Sequence, residues 1–172
     1  MGELITKLIE LPFWEKFADF HGFLAMLALV LFGAAFVLFF ISGKLSSVIN
    51  TFKTILTLLF LNILVLDIAG MSVYVPYRAA TGGPRKLLLS SEDTAWLHQI
   101  VFEHKEFLAF APLVLSFTAL LVVIKLGDSF GDTAKFKWLR LAVFAALALS
   151  LIFVLTVAAE AVLVTKAAPV GK

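Results

Sequence analysis

Residues 21–41 read HGFLAMLALVLFGAAFVLFFI, one histidine followed by twenty residues without a charge. A helix rises about 1.5 Å per residue and the hydrocarbon core of a bilayer is about 30 Å thick, so ~20 apolar residues span it. This stretch therefore predicts a transmembrane helix. Three more follow the same pattern, at about residues 54–74, 106–124 and 139–164. The stretches are apolar all round, which excludes soluble amphipathic helices.

Turn residues separate the four spans. Ser42-Gly43-Lys44 ends the first, Pro76 begins the exit from the second, and Thr81-Gly82-Gly83-Pro84 reads as a loop. Gly127 to Gly131 divides the third from the fourth. Ser91-Glu92-Asp93 resembles a helix N-terminus, so the third helix is expected to begin some turns before it enters lipid. The fold class expected is all-α: one membrane domain over residues 1–172, an up-down-up-down four-helix bundle with an outer loop over 76–94.

The composition agrees. Of 172 residues, 62% are hydrophobic and 15% charged, more apolar side chain than a soluble domain of this size buries. There is no cysteine, which excludes disulfides, thiolate metal sites and covalent haem attachment. Met1 to Phe20 holds four acids and two lysines and lacks a signal-peptide pattern, so targeting is expected to fall to the first span.

Short loops rich in Lys and Arg face the cytoplasm. Lys44 and Lys53 follow the first span; Lys125, Lys135, Lys137 and Arg140 follow the third. Lys7, Lys16, Arg78, Arg85, Lys86, Lys105, Lys166 and Lys172 lie on the other side, over longer segments diluted by acids. The expectation is a multi-pass protein of the cell (plasma) membrane with both termini and the long second loop outside.

Ionisable groups at membrane depth are costly and mark function. Here they are His21, Asp67, His98, Glu103, His104, Glu106 and Glu160, with Asn62 the one polar residue toward the inner half. The ionisable set collects at the outer end of all four spans. Two imidazoles on two helices at one depth, with small residues beside them, suit a bis-histidine haem. His21 has Gly22, Ala25 and Ala28 nearby, and His104 has Ala109 and Ala111. His98 and His104 are six residues apart and, at about 100° per residue, point about 120° apart, so they do not share one small site. His98 is left to bond a propionate or face water. Interfacial anchoring remains the plain alternative for all three histidines.

The run His21-Gly22-Phe23-Leu24-Ala25-Met26 resembles the start of a haem-binding helix in membrane b-type cytochromes. Leu97 to Ala109, LHQIVFEHKEFLA, resembles the third helix of four-helix bundles related to half of haem A synthase. The resemblance covers the layout of the bundle and these two runs. It implies haem b with His21 and His104 as axial metal ligands. The glutamate that haem A synthases place before a ligand histidine has no match, since Asp19 and Glu103 stand at other spacings, so haem A synthesis is not implied.

Other residues fill supporting roles in this reading. Arg78, by bidentate pairing, suits a haem propionate; ordinary interface anchoring is the alternative. Asp67 and Glu160 are proton-handling candidates, with interhelical hydrogen bonding as the plainer role for Asp67. Pro112 is expected to kink the third helix.

A di-iron site needs Glu-x-x-His, but Ala18, Ala95 and Val101 stand three before the histidines. No phosphate-binding loop, catalytic serine triad, nucleic-acid tract or voltage-sensor row is present. The leading expectation is a haem-b electron-transfer subunit that passes electrons between quinol and an outer-side partner. The alternatives are a non-catalytic structural or assembly subunit of a larger membrane complex, and a small metal- or ion-handling protein.

Overall fold

A computed structural model describes residues 13–79 and 83–168, and within these there are helices and no strand. Helix α1 is Phe13–Ser42 and α2 is Ile49–Tyr77, joined through a 3₁₀ turn at Ser46–Val48. A short α3, Pro84–Leu89, precedes α4, Glu92–Trp96. A π turn, Leu97–Phe102, carries α4 into α5, Glu103–Leu126. A 3₁₀ stretch at Gly127–Gly131 leads to α6, Lys137–Ala167. Four helical stretches are long and apolar enough to cross a membrane: Phe13–Ser42, Ile49–Tyr77, Glu92–Gly131 and Lys137–Ala167.

These helices are longer than the apolar runs. Thirty residues make about 45 Å, well beyond the ~30 Å hydrocarbon core, so the mixed-polarity ends continue as helix past it. Pro76 stands one residue before the end of α2 at Tyr77, where the exit from the second span is expected. Most of the expected outer loop 76–94 is helical, and its residues 80–82 lie outside the described residues, as do the termini whose placement was expected. Ser91 caps α4, its hydroxyl accepting from the Asp93 N–H at 3.3 Å. Pro84 opens α3, where its missing N–H costs nothing. Gly127 takes φ +52°, a backbone state that glycine adopts without strain, and stops α5. Helix α5 passes through Pro112, whose carbonyl accepts from Ser150 Oγ of α6 at 3.2 Å.

Only 28–33% of each apolar window is buried inside the bundle. The outward side chains are nonetheless large and apolar, Phe23, Met26, Phe107 and Trp138 among them. Such a surface is stable against lipid and not against water. The inner core is aromatic, with Phe39 in ring contact with Phe52, Phe130 and Phe144.

Arg140 was counted with the inner-loop charges but is buried. Its guanidinium lies between the Phe39 and Phe130 rings, 4.8 and 4.6 Å from their centroids. It donates to Phe130 O at 2.7 Å, Phe39 O at 3.1 Å and Ser42 Oγ at 3.3 Å. The last carbonyls of a helix lack partners and carry partial negative charge. Arg140 thus caps α1 from α6 without a carboxylate partner among the described residues.

Candidate functional site

The ionisable residues are held in several separate contacts, and the three histidines are held in different ways. His21, on α1, lies against α2, where its Nδ1 donates to the Leu66 carbonyl at 3.1 Å. Gly70, one turn on, makes the room: a Cβ there would stand 3.1 Å from His21 Cε1. The space beside Gly22 is open, since a Cβ on it would meet no atom within 4 Å.

His104, at the start of α5, reaches α6, and its Nδ1 bonds Glu160 Oε1 at 2.5 Å. The imidazole is half exposed while the carboxylate is largely buried. In both His21 and His104 the bonded nitrogen is Nδ1. A carbonyl oxygen can only accept, so His21 Nδ1 carries a proton, and in the neutral ring Nε2 holds a lone pair. The Glu160 carboxylate likewise takes the Nδ1–H of His104. No hydrogen bond among the described residues engages either Nε2. Histidines that bind metal show this pattern, with the second ring nitrogen donating to a carbonyl or carboxylate that sets tautomer and orientation.

His98 differs. It is buried, its Nδ1 2.9 Å from Tyr77 Oη and its Nε2 3.0 Å from Arg85 Nε. Guanidinium N–H can only donate, so Nε2 is unprotonated and the ring is neutral, with Nδ1–H toward Tyr77. Glu103 Oε1, 3.8 Å away, therefore makes no ion pair with this ring. Neither role expected for His98, propionate bonding or solvent exposure, fits a buried ring with both nitrogens engaged. The Tyr77 and Phe102 rings stack beside it at 3.9 Å and 4°. The π turn carries His98 and Phe102 toward α2 before α5 turns His104 toward α6, so the two histidines serve separate places, as their spacing predicts.

Arg78 is engaged within the chain. It meets Glu103 at 3.4 Å and lies 4.5 Å from the Tyr74 centroid. Lys105 was counted as an outer-side charge, yet it is partly buried. Its Nζ is 4.7 Å from the Phe102 centroid, and its charge acts on His21, Glu106 and Glu160. Reading by polarity alone missed it, because an interfacial lysine and an inward one look alike in sequence.

Asp67 Oδ2, Glu160 Oε2 and Asn62 Oδ1 are buried and have no hydrogen-bond partner among the described residues. Asn62 Nδ2 donates to the Leu24 carbonyl at 3.0 Å. Among the described residues, no three histidines or carboxylates stand close enough together to hold a metal ion. A haem, unlike a bare ion, asks two ligands of the protein. No protein-family model, curated protein or solved structure matches the chain.

Proposed function

We propose that the chain is a membrane electron-transfer subunit that holds one haem b through Nε2 of His21 and His104. The observation that carries the reading is shared by those two histidines: Nδ1 anchored, and Nε2 without a hydrogen-bond partner among the described residues. His98, with both nitrogens engaged, serves as the internal contrast. Gly70 supports the reading, since any larger residue would push on the His21 ring.

When bound, haem b supplies one-electron redox chemistry. The chain's residues orient and balance it. Leu66 O and Glu160 Oε1 hold the Nδ1 atoms of the two imidazoles. Arg78 has N–H groups beyond the one on Glu103, which suit a propionate. Oxidising a quinol to a quinone releases two electrons and two protons. Asp67 Oδ2 and Glu160 Oε2, buried without donors, are places where a proton can be held.

The proposal includes an up-down-up-down order of the four spans in the cell membrane, with both termini outside. Cross-helix pairs support the order. Leu24 meets Asn62 and His21 meets Leu66 early in α1 and late in α2, while Phe39 meets Phe52 at the opposite ends. His104 with Glu160, and Pro112 with Ser150, give the same sense for α5 and α6. An outer-side protein would exchange the electrons.

Oxidised and dithionite-reduced visible spectra test the proposal on the purified protein and on His21→Ala, His104→Ala and His98→Ala. The expected result is a sharp reduced α-band of b type, lost in the first two variants and kept in the third. A colourless protein, expressed with ample haem, overturns it.

A further inference from the structure

His98 is only 5% exposed and is held from two sides. Tyr77 Oη of α2 stands 2.9 Å from Nδ1, and Arg85 of α3 donates its Nε–H to Nε2 at 3.0 Å. A third group faces the same nitrogen. Glu103 Oε1, at the start of α5, is 3.8 Å from Nε2. The two neighbours of Nε2 make opposite demands on it. A guanidinium N–H needs a lone pair there, and a carboxylate needs a proton. The neutral ring can satisfy Arg85 and not Glu103; the protonated ring can satisfy Glu103 and not Arg85.

The surroundings fit such an exchange. A charge formed on a buried ring needs a partner close by, and Glu103 is in place to be one. Nδ1–H can stay on Tyr77 Oη in both states, so the ring need only turn about that bond. From α2, Arg78 also bears on the ring and lies 3.4 Å from Glu103. From α5, Lys105 rests on the Phe102 ring, and the charge of Glu106 acts on Tyr77. The side chains of α3, the π turn and α6 that pack around Tyr77 and Phe102 are Leu88, Leu97 and Val164, all apolar.

We propose that His98 is a pH-operated latch on α3: the neutral ring holds Arg85, and the protonated ring turns its Nε2–H to Glu103 and lets Arg85 go. The latch is closed above the pH at which His98 takes its proton and open below it. Arg85 makes the one hydrogen bond that an α3 side chain forms among the described residues. Leu88 is buried and its carbonyl is held by Thr94 Oγ1 at 2.8 Å, so release loosens the first turn of α3 and leaves its far end seated. The latch stands apart from the haem reading, since neither His21 nor His104 takes part in it.

The test is nitrogen-15 NMR and amide hydrogen exchange on the full chain in detergent micelles, from about pH 8 to about pH 4.5. The expected result is one transition seen three ways. His98 Nε2 changes from acceptor to protonated, the Arg85 Nε–H loses its bonded shift, and the amides of α3 exchange about tenfold faster or more, after correction for the pH dependence of free amides. His98→Gln offers Arg85 an acceptor that takes no proton, and should keep α3 protected throughout. Glu103→Gln, a change at a half-exposed site, should move the transition to lower pH, so the test does not depend on His98→Gln folding normally. A His98 that stays neutral over the whole range, or one that titrates with Arg85 and α3 unchanged, overturns the latch. So does an α3 that loosens equally in His98→Gln. An unmoved transition in Glu103→Gln overturns the exchange of partners.

Discussion

Replacing Gly70 with alanine should disturb His21 while leaving the protein about as stable as before. The added Cβ would stand 3.1 Å from His21 Cε1. Carbon atoms pack comfortably from about 3.5 Å, so the ring must retreat by about 0.4 Å. It lies on α2, and retreat also draws Nδ1 from the Leu66 carbonyl, now 3.1 Å away. At about 3.5 Å that contact is no longer a useful hydrogen bond, a loss of about 0.5–1.5 kcal/mol. Alanine is favoured over glycine inside a helix by about 0.8–1.0 kcal/mol, which offsets most of it. The melting temperature should therefore move by no more than about 4 °C. Nitrogen-15 NMR of the histidine side chains should show the His21 resonances shifted and those of His98 and His104 in place. An unchanged His21 signal would refute the claim that Gly70 is the seat of the imidazole.

Other consequences concern the two ends of the bundle and its orientation. His98→Ala leaves Tyr77 and Arg85 without their partner and should cost about 2–4 kcal/mol in a detergent unfolding titration, with any haem retained. Arg140→Met strips three acceptors of a charged donor and should cost about 2–4 kcal/mol, whereas Arg140→Lys, which cannot reach all three, should fall between it and wild type. The chain has no cysteine, so an introduced one is a unique label. Ser90→Cys should react with an impermeant maleimide in intact cells and Ser47→Cys only after permeabilisation; the reverse pattern would invert the proposed orientation.

The four spans were legible because lipid imposes one simple demand, a run of apolar residues long enough to cross. The helix ends were less so. Phe13 to Phe20 mixes charge with apolar residues and stays helical though no local pattern announces it, whereas the early start of the third helix is announced by Ser91, which caps α4. At the site, the depth of His21 and His104 could be read, but what holds them could not. Leu66 O is a backbone atom 45 residues from His21, and Glu160 is 56 from His104. Gly22 is legible beside His21 because it adjoins it, whereas the close seat at Gly70 depends on α2 packing there. The sequence leaves His98 to a propionate or to water, because its partners, Tyr77 and Arg85, reach it only through α3 and the π turn. Arg140 counted as a loop charge because its role depends on where α1 ends.

The central claim is that His21 and His104 offer their Nε2 atoms to one haem. Its most direct test is the protohaem content per chain of purified wild type, His21→Gly and His104→Gly, with and without added imidazole. The account predicts one haem per chain in wild type, loss in each variant, and recovery when imidazole supplies the missing ligand. A wild-type chain without haem, or variants that keep a full complement and an unchanged spectrum, would contradict it.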